Sequence, residues 1–311
     1  MQITIQREYD GMMLRQFLRT EMHLSSKMLK HIKFREDGIL LNGERVTVRK
    51  TLHAGDLLEL ALEDDSADEH IEAINLPLEI LYEDTDLVVP AKPADMPTHP
   101  SHDHHTDTVA NALAYRYRAQ GVPFVFRPIN RLDRNTSGLL LIARNRVCAG
   151  TMSRDMREGK IQKTYIAVLD GVLESDVGRI DACLHRTEKS IIVREVCSPD
   201  TPDADTALTE YRVLARSKHH TLVEARPITG RTHQLRVHFA HLEHPITGDD
   251  LYGDPDVRIG RHALHAHTLS FLHPVSRDRV TCRAPLPRDM ADLIAHLFPD
   301  HPISKERSTV L

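Results

Sequence analysis

The sequence lacks the patterns by which disulfide frameworks, zinc ribbons and nucleotide-binding loops are recognised. Four of the 311 residues are cysteine, and none of them forms a Cys-x-x-Cys pair. Scattered cysteines of this kind are typical of ordinary core or surface thiols. No G-x-x-x-x-G-K-[ST] loop occurs either, so the sequence gives no support for a nucleotide cofactor such as ATP or GTP.

Long apolar runs are also missing. The chain begins MQITIQREYDGMML, which has neither a basic region followed by an apolar stretch nor a cleavage site of small residues. Its longest apolar runs are far shorter than the roughly 20 residues that span a bilayer. We therefore expect a soluble, cytoplasmic protein without a membrane partner, and a monomer is the default expectation.

Positively charged residues are slightly outnumbered by acidic ones overall but are concentrated locally. The formal net charge of −5 argues weakly against a nucleic-acid partner, because phosphate binding depends on Lys and Arg. Residues 12–35, however, hold six basic residues against one acid, whereas residues 63–79 hold seven acids and neither Lys nor Arg. The acidity of the whole chain therefore partly reflects a linker.

The length favours two domains, because single domains usually have about 100 to 200 residues. We predict an N-terminal domain over 1–62, an acidic linker over 63–77, a second domain over 78–302 and a tail over 303–311. In the first, LRQFLRTEM and KMLKHIKF are amphipathic and predict two helices. Strands with turns at Asn42-Gly43 and Gly55-Asp56 should follow.

This N-terminal arrangement resembles the small RNA-binding domain named after ribosomal protein S-four. The resemblance covers about fifty residues and includes Leu14, Phe17, Leu18, the Ser25–Leu29 run and Gly55-Asp56-Leu57. It implies a basic helix pair that binds structured RNA through Arg15, Lys27, Lys30 and Lys33. The alternative is a small helical cap with a solvated charged face.

The second domain mixes strands and helices without a regular β-α-β rhythm. Alternating patterns predict strands at 138–143, 164–169, 190–196, 209–214 and 221–225, and helices at 146–158 and 232–242. This order predicts the α+β class, with a mixed, mainly antiparallel sheet and flanking helices and loops.

Asp133 is the strongest candidate for a catalytic residue. It lies between Arg131 and Arg134, directly before the turn Asn135-Thr136-Ser137. The two arginines and the donors of this turn should favour its charged form, which suits a nucleophile. The alternative is an Arg–Asp pair that only ties a loop to a sheet.

Three segments together resemble the motifs of the RluA-type pseudouridine synthases. They are INRLDRNTSGLLLIAR around Asp133, KTYIAVLDG around Tyr165, and PITGRTHQLRVHFAHLEHPITGDDLYG around Arg236. The likeness extends over nearly all of 78–287, with Asn130 as a small departure where His is frequent. It implies the pseudouridine synthase fold and isomerisation of uridine in RNA.

The resemblance also implies a role for each site residue. Asp133 would attack the sugar or the base, or take a proton; these alternatives stay open. Tyr165 would stack on the uracil, unless it only packs. Arg236 would pair with Asp133 through one or two hydrogen bonds, while Arg231 is the competing candidate and otherwise an RNA or loop contact. Arg131, and with it Arg134, would contact RNA, Arg131 as a wedge replacing the flipped base.

Histidines raise the question of a metal site, which we consider unsupported by the sequence. His102, His104 and His105 lie in a polar loop, and His265 and His267 in an alternating strand. Because a metal site needs three or four ligands with supporting geometry, we expect surface or RNA contacts for these side chains. No metal and no cofactor is predicted.

The sequence therefore predicts an RNA pseudouridine synthase. Its partner should be RNA, with large-subunit ribosomal RNA as the first choice and transfer RNA as the second. Two other functions stay open: a non-catalytic RNA-binding or ribosome-assembly factor, and a nucleoside or glycoside hydrolase. A hydrolase of this kind normally needs a second carboxylate.

Overall fold

The structure is a computed structural model that describes residues 1–22, 24, 26–35, 37–61, 70–101, 103–187, 190 and 192–302, without the side chains of residues 26–28 and 31. The predicted tail 303–311 and the first part of the predicted linker, 63–69, lie outside the described residues. Residues 70–77 are described and contain neither a helix nor a strand.

The N-terminal residues form two helices and a four-stranded antiparallel sheet. Helix α1 covers Leu14–Thr20 and α2 covers Ser26–Lys33. In sheet order the strands are β1 (Gln2–Thr4), β4 (Leu57–Leu60), β2 (Ile39–Leu41) and β3 (Glu44–Arg45). Alternate residues of the strands and one face of each helix share an apolar core that includes Leu14, Leu18 and Ile32. The two predicted helices and the following strands are observed.

A second sheet of eleven strands carries the rest of the described chain. Its main path is β11-β14-β15-β10-β16-β8-β6-β9-β7, with β17 beside β16 and β5 beside β6. The strands are β5 (Glu79–Glu83), β6 (Leu87–Lys92), β7 (Arg127–Pro128), β8 (Ser137–Leu139), β9 (Ile142–Ala143), β10 (Gln162–Asp170), β11 (Val177–Asp181), β14 (Leu208–Arg216), β15 (His220–Pro227), β16 (Leu264–Leu272) and β17 (Arg279–Arg283).

Four helices flank this sheet, and a hairpin lies beside it. The helices are α3 (Val109–Ala119), α4 (Arg146–Arg157), α5 (Gln234–His241) and α6 (Arg288–Leu297); the hairpin strands are β12 (Cys183–Arg186) and β13 (Arg194–Cys197). All pairs in the sheet are antiparallel except β8 with β16. The predicted α+β class is confirmed. Among the described residues, none of the helices is both long and apolar enough to cross a membrane.

The predicted strand over 138–143 is observed as two short strands, β8 and β9. Both pair with β6, and Leu140 between them donates its N–H to the carbonyl oxygen of Pro90 at 3.1 Å. Because proline has no N–H to return, the ladder is interrupted at this point. Side chains alternate between two buried clusters, with Leu140 on one face and Leu139 and Leu141 on the other. Burial on both faces explains the continuous apolar run.

Gly138 allows β8 to approach β16 closely. Its φ is +113°, and a Cβ at this position would lie 2.2 Å from the carbonyl oxygen of Ala266. Ser137 beside it bonds through Oγ to Nδ1 of His265 at 2.9 Å. A glycine is therefore required where the strand that follows Asp133 joins the sheet.

Replacing Gly138 by alanine should destabilise the protein strongly. The left-handed backbone and the collision with Ala266 together should cost at least about 3 kcal/mol. Gly159 is the matched control, because it also has a positive φ of +69° but open space around it, so Gly159→Ala should cost about 1 kcal/mol. Urea unfolding of both variants measures the difference, and equal losses would contradict the required close approach.

Candidate active site

Asp133 lies on a short loop that is fixed on both sides. Before it, Leu132 donates its N–H to Thr98 Oγ1 at 3.3 Å, and the Thr98 hydroxyl donates to the Leu132 carbonyl at 3.1 Å. After it, the Thr136 N–H donates to the Asp133 carbonyl at 3.1 Å. The carboxylate stays partly accessible, with 28% of the side chain exposed. The loop therefore presents this group at a fixed position.

The hydroxyl groups that follow Asp133 have other partners than the sequence predicted. Thr136 Oγ1 lies 2.8 Å from His262 Nε2, and Ser137 bonds to His265. Arg134 also turns away and pairs with Asp95, with 2.6 Å between Nη2 and Oδ1. The environment of Asp133 is therefore supplied by residues distant in sequence.

Lys92 is one of these distant residues. Although it is almost completely buried, its Nζ donates to the carbonyls of Pro93, Met96 and Arg134 at 2.7 to 2.8 Å. Burial lowers the pKa of Lys92 to about 7, while the negative charge of Asp133 acts in the opposite direction. The ammonium group therefore ties the Asp133 loop to the end of β6.

Arg236 on α5 approaches Asp133 but makes its bidentate pair elsewhere. Its Nη1 lies 3.7 Å from Asp133 Oδ2, whereas Nε and Nη2 each lie 2.7 Å from an oxygen of Asp249. The possible double hydrogen bond to Asp133 is thus corrected to Asp249. Burial alone would raise the pKa of Asp249, but the hydrogen bonds and charge of Arg236 outweigh it and lower that pKa. Arg236 is held rigidly, with one guanidinium nitrogen left to face Asp133.

Tyr165 on β10 lines a cavity that the Asp133 side chain also lines. The ladder between β10 and β16 has an irregularity between Thr164 and Tyr165, which changes the direction of the side chains at this point. Burial, together with the negative charge of Asp133, raises the pKa of Tyr165. The phenol is therefore protonated at neutral pH, and it lies close enough to Asp133 for an electrostatic interaction between the two side chains.

A cavity of about 700 Å³ brings the candidates of the second domain together. Its lining includes Arg131, Asp133, Arg134, Tyr165, Arg231 and Arg236. Arg131 is exposed at the loop, and Arg231 forms an ion pair with Asp205 at 2.9 Å. Residues of three separate sequence segments therefore surround one space.

The N-terminal candidates do not line this cavity. Arg15 on α1 and Lys30 and Lys33 on α2 are exposed, and Lys33 Nζ lies 4.7 Å from the centre of the exposed Phe34 ring. The side chain of Lys27 lies outside the described residues. These exposed cations therefore lie outside the cavity, on the two N-terminal helices.

Two of the histidines that suggested a metal site, His265 and His267, are placed differently from the prediction. His265 and His267 are buried and each approaches the carbonyl oxygen of Ala284, so the expected surface or RNA contacts are wrong for them. His104 lies 2.5 Å from Asp107, and His102 lies outside the described residues. His104, His265 and His267 therefore have partners within the protein, whereas His105 is exposed.

Among the described residues, one group has ligand atoms close enough to hold a metal: Asp84, Asp86 and His273. His273 Nδ1 accepts the N–H groups of Val275 and Ser276 at 3.3 and 3.1 Å, so the ring proton resides on Nε2. Nε2 lies 2.9 Å from Asp84 Oδ2. A nitrogen that carries this proton cannot bind a metal, so the group is a structural Asp–His pair.

Sequence reasoning missed four residues around Asp133: Lys92, His233, Asp249 and Tyr252. His233 Nε2 lies 3.9 Å from Asp133 Oδ2, and His233 Nδ1 lies 2.8 Å from the Tyr252 hydroxyl. His233 also has a positive φ of 58° directly before α5. Three of the four lie within the third motif, 227–253, and this was the only sign in the sequence that they belong to the site. The motif does not reveal which of its side chains form pairs.

Comparisons with known proteins give consistent matches. Residues 86–241 match the family described as RNA pseudouridylate synthase, and residues 1–58 match the RluD ribosomal pseudouridine synthase N-terminal domain. The RNA pseudouridine synthase YjbO of Bacillus subtilis is 38% identical over 88% of this chain and 95% of that protein.

Two further relatives agree. The ribosomal large subunit pseudouridine synthase D of Xylella fastidiosa is 35% identical over 86% of this chain and 84% of its own. The solved structure of human RNA pseudouridylate synthase domain containing 1 has a TM-score of 0.55 and 31% identity, and covers 68% of this chain and 84% of that one.

Removing one partner of the Arg236–Asp249 pair should unfold the site. Asp249→Asn should lower the free energy of unfolding by about 3 to 5 kcal/mol, because a buried guanidinium loses its counter-charge. Adding Arg236→Met should restore part of this loss, because the unpaired charge is removed. Urea unfolding measures both variants.

The control for this pair is Asp292→Asn, which breaks the exposed ion pair with Arg288 on α6. It should change the stability by less than about 0.5 kcal/mol. An Asp249→Asn variant as stable as this control would show that the buried pair does not hold the site.

Proposed function

The chain belongs to the RNA pseudouridylate synthase family, and on this premise we propose that it isomerises specific uridines of large-subunit ribosomal RNA with Asp133 as the catalytic carboxylate. The reaction breaks the bond between uracil N1 and the ribose, turns the base and joins its C5 to the same ribose carbon; the C5 proton is then lost and N1 gains a proton. No electron acceptor or phosphate donor is needed, since bonds are only exchanged.

One observation carries this proposal: Asp133, Tyr165 and Arg236 come from three separate segments and surround one cavity. An ionised carboxylate can attack the sugar or the base, or take a proton. Arg236 stabilises the negative charge across 3.7 Å. The neutral phenol of Tyr165 offers an aromatic face for a uracil ring.

The cavity implies that the target nucleotide leaves its stack. A volume of about 700 Å³ lies within the range of small-molecule sites, and a base inside a helix cannot reach Asp133 unless it flips out, at about a few kcal/mol. Arg131, exposed at the rim, fills the vacated position. Among the described residues, His99 Nδ1 in the cavity wall is buried and without a hydrogen-bond partner, which leaves it available to the nucleotide.

The choice of ribosomal RNA is supported by relatives and by charge. Several bacterial relatives are named ribosomal large subunit pseudouridine synthase D. Residues 1–62 act as an RNA-binding domain joined by the acidic linker 63–77 to a catalytic domain over 78–302, and the protein works in the cytoplasm. Exposed Arg15, Lys30 and Lys33 neutralise RNA phosphates.

Asp133→Asn should abolish product formation and leave RNA binding intact, because the amide keeps the shape but loses the charge. The assay incubates purified protein with unmodified ribosomal and transfer RNA and maps pseudouridine at nucleotide resolution. Asp292→Asn, an exposed carboxylate on α6, is the control and should be fully active.

Each contrary result of this assay would support a different alternative. Activity of Asp133→Asn equal to wild type would refute the catalytic role. Release of free uracil would indicate a hydrolase, modification of transfer RNA alone would replace the substrate, and full function of Asp133→Asn in cells would favour a non-catalytic assembly factor.

A separate prediction concerns the exposed cations on the two N-terminal helices. The triple variant Arg15→Ala, Lys30→Ala and Lys33→Ala should weaken RNA binding and reduce the slope of log K against log salt by about 2, because fewer phosphates are neutralised. Filter binding at several salt concentrations measures it. Lys160→Ala, an exposed lysine after α4, is the control, and an unchanged slope in the triple variant would contradict the assignment.

A further inference from the structure

His233 occupies a strained position beside the catalytic carboxylate. It precedes α5 with φ 58° and ψ 15° in the left-handed region, which few residues other than glycine adopt. Its carbonyl accepts the N–H of Val237 at 2.9 Å, and only a tenth of its side chain is exposed. Strain of about 1 to 3 kcal/mol at such a position calls for a reason.

The hydrogen bonds around His233 fix its tautomer. The Arg194 N–H donates to the Tyr252 hydroxyl oxygen at 2.9 Å, and this oxygen lies 2.8 Å from His233 Nδ1. Asp133 Oδ2 lies on the Nε2 side of the ring and can only accept, so the tautomer that suits both neighbours has its proton on Nε2 and accepts the Tyr252 proton at Nδ1. Burial lowers the pKa of His233, although Asp133 acts in the opposite direction. The imidazole is therefore neutral at neutral pH and bears its proton on Nε2.

This proton faces Asp133. His233 Nε2 lies 3.9 Å from Asp133 Oδ2, and Arg236 Nη1 lies 3.7 Å from the same oxygen. Two donors therefore converge on Oδ2, and neither has its closest approach to Oδ1. Both distances exceed the length of a hydrogen bond, so either donor can bond to Oδ2 only after the carboxylate moves closer.

We propose that His233, oriented by Tyr252, is a positioning residue that holds Asp133 Oδ2 together with Arg236 and leaves Oδ1 as the oxygen that reacts. This inference rests on the proposed function of Asp133. A neutral donor suits the task, because it orients the carboxylate without adding a second full positive charge that would weaken its reactivity. The left-handed backbone is kept because it directs the ring between Tyr252 and Asp133.

The orientation of Asp133 is thereby connected to the β12–β13 hairpin. Arg194 begins β13, and Ile192 two residues earlier lines the cavity. The backbone of the hairpin thus orients the Tyr252 hydroxyl, and this hydroxyl orients the His233 imidazole. The imidazole in turn orients the Asp133 carboxylate. A wall of the cavity and the reacting group are joined by three consecutive hydrogen-bonding groups.

Two substitutions of His233 test the proposal. His233→Leu removes the donor and should lower the single-turnover rate of pseudouridine formation by roughly 10- to 100-fold, as expected for one lost hydrogen bond to a charged group. His233→Gln can place an amide N–H near the former Nε2 and should recover most of the rate. The RNA dissociation constant should stay within about twofold of wild type in both, since the interaction acts on Asp133 alone.

A purely structural role would give a different pattern. Both variants would then lose thermal stability and activity together, and His233→Gln would be no better than His233→Leu; this result would overturn the proposal, as would a His233→Leu rate equal to wild type. The RNA is the unmodified ribosomal or transfer RNA transcript on which the wild-type protein forms pseudouridine. Absence of product with wild-type protein would refute the proposed function itself, and this inference with it.

Tyr252→Phe provides the second arm. It removes the hydroxyl that orients the ring and should lower the rate less than His233→Leu does. In the double variant it should add nothing to His233→Leu, because both changes break one chain of hydrogen bonds. Tyr115→Phe, an exposed tyrosine on α3, is the control with wild-type rate. Fully additive effects in the double variant would overturn the proposal.

Discussion

The buried ion pair between Arg236 and Asp249 is the interaction on which the arrangement of the site depends. Arg236 uses Nε and Nη2 for Asp249, so its remaining nitrogen can point in one direction only, toward Asp133. Asp249 also accepts the N–H groups of Leu251 and Tyr252, which fixes the turn that carries Tyr252. One pair of charges thereby positions both the guanidinium and the hydroxyl near the carboxylate.

The sheet supplies the remaining order. Asp133 precedes β8, Tyr165 lies on β10, and β16 runs between these two strands. Side chains from non-adjacent strands therefore line the same cavity, and α5 contributes Arg236 to it. Arg236 Nη1 lies 3.7 Å from Asp133, Asp249 neutralises Arg236, and Lys92 holds the Asp133 loop through the carbonyl of Arg134.

Much of this could be predicted from the sequence, for identifiable reasons. Two helices and a hairpin near the N-terminus follow from amphipathic periods and Asn-Gly and Gly-Asp turns, and the α+β class from the mixture of strand and helix patterns. Gathering Asp133, Tyr165 and Arg236 at one cavity was implied by the family resemblance. The pairing of Arg236 with Asp249 was missed, because 13 residues and a turn separate them and spacing does not reveal which carboxylate is nearer. Lys92 was missed because its three partners are backbone carbonyls, which leave no trace in the sequence.

The parallel contact between β8 and β16 has a consequence for how the protein is made. Ser137 is joined to His265 across 128 positions of the chain, and β16 is the strand between the two that flank the cavity. Contacts so distant in sequence form late in folding. A nascent chain that has left the ribosome only as far as residue 263 still lacks this central strand, so the geometry around Asp133 is completed only after β16 has been synthesised.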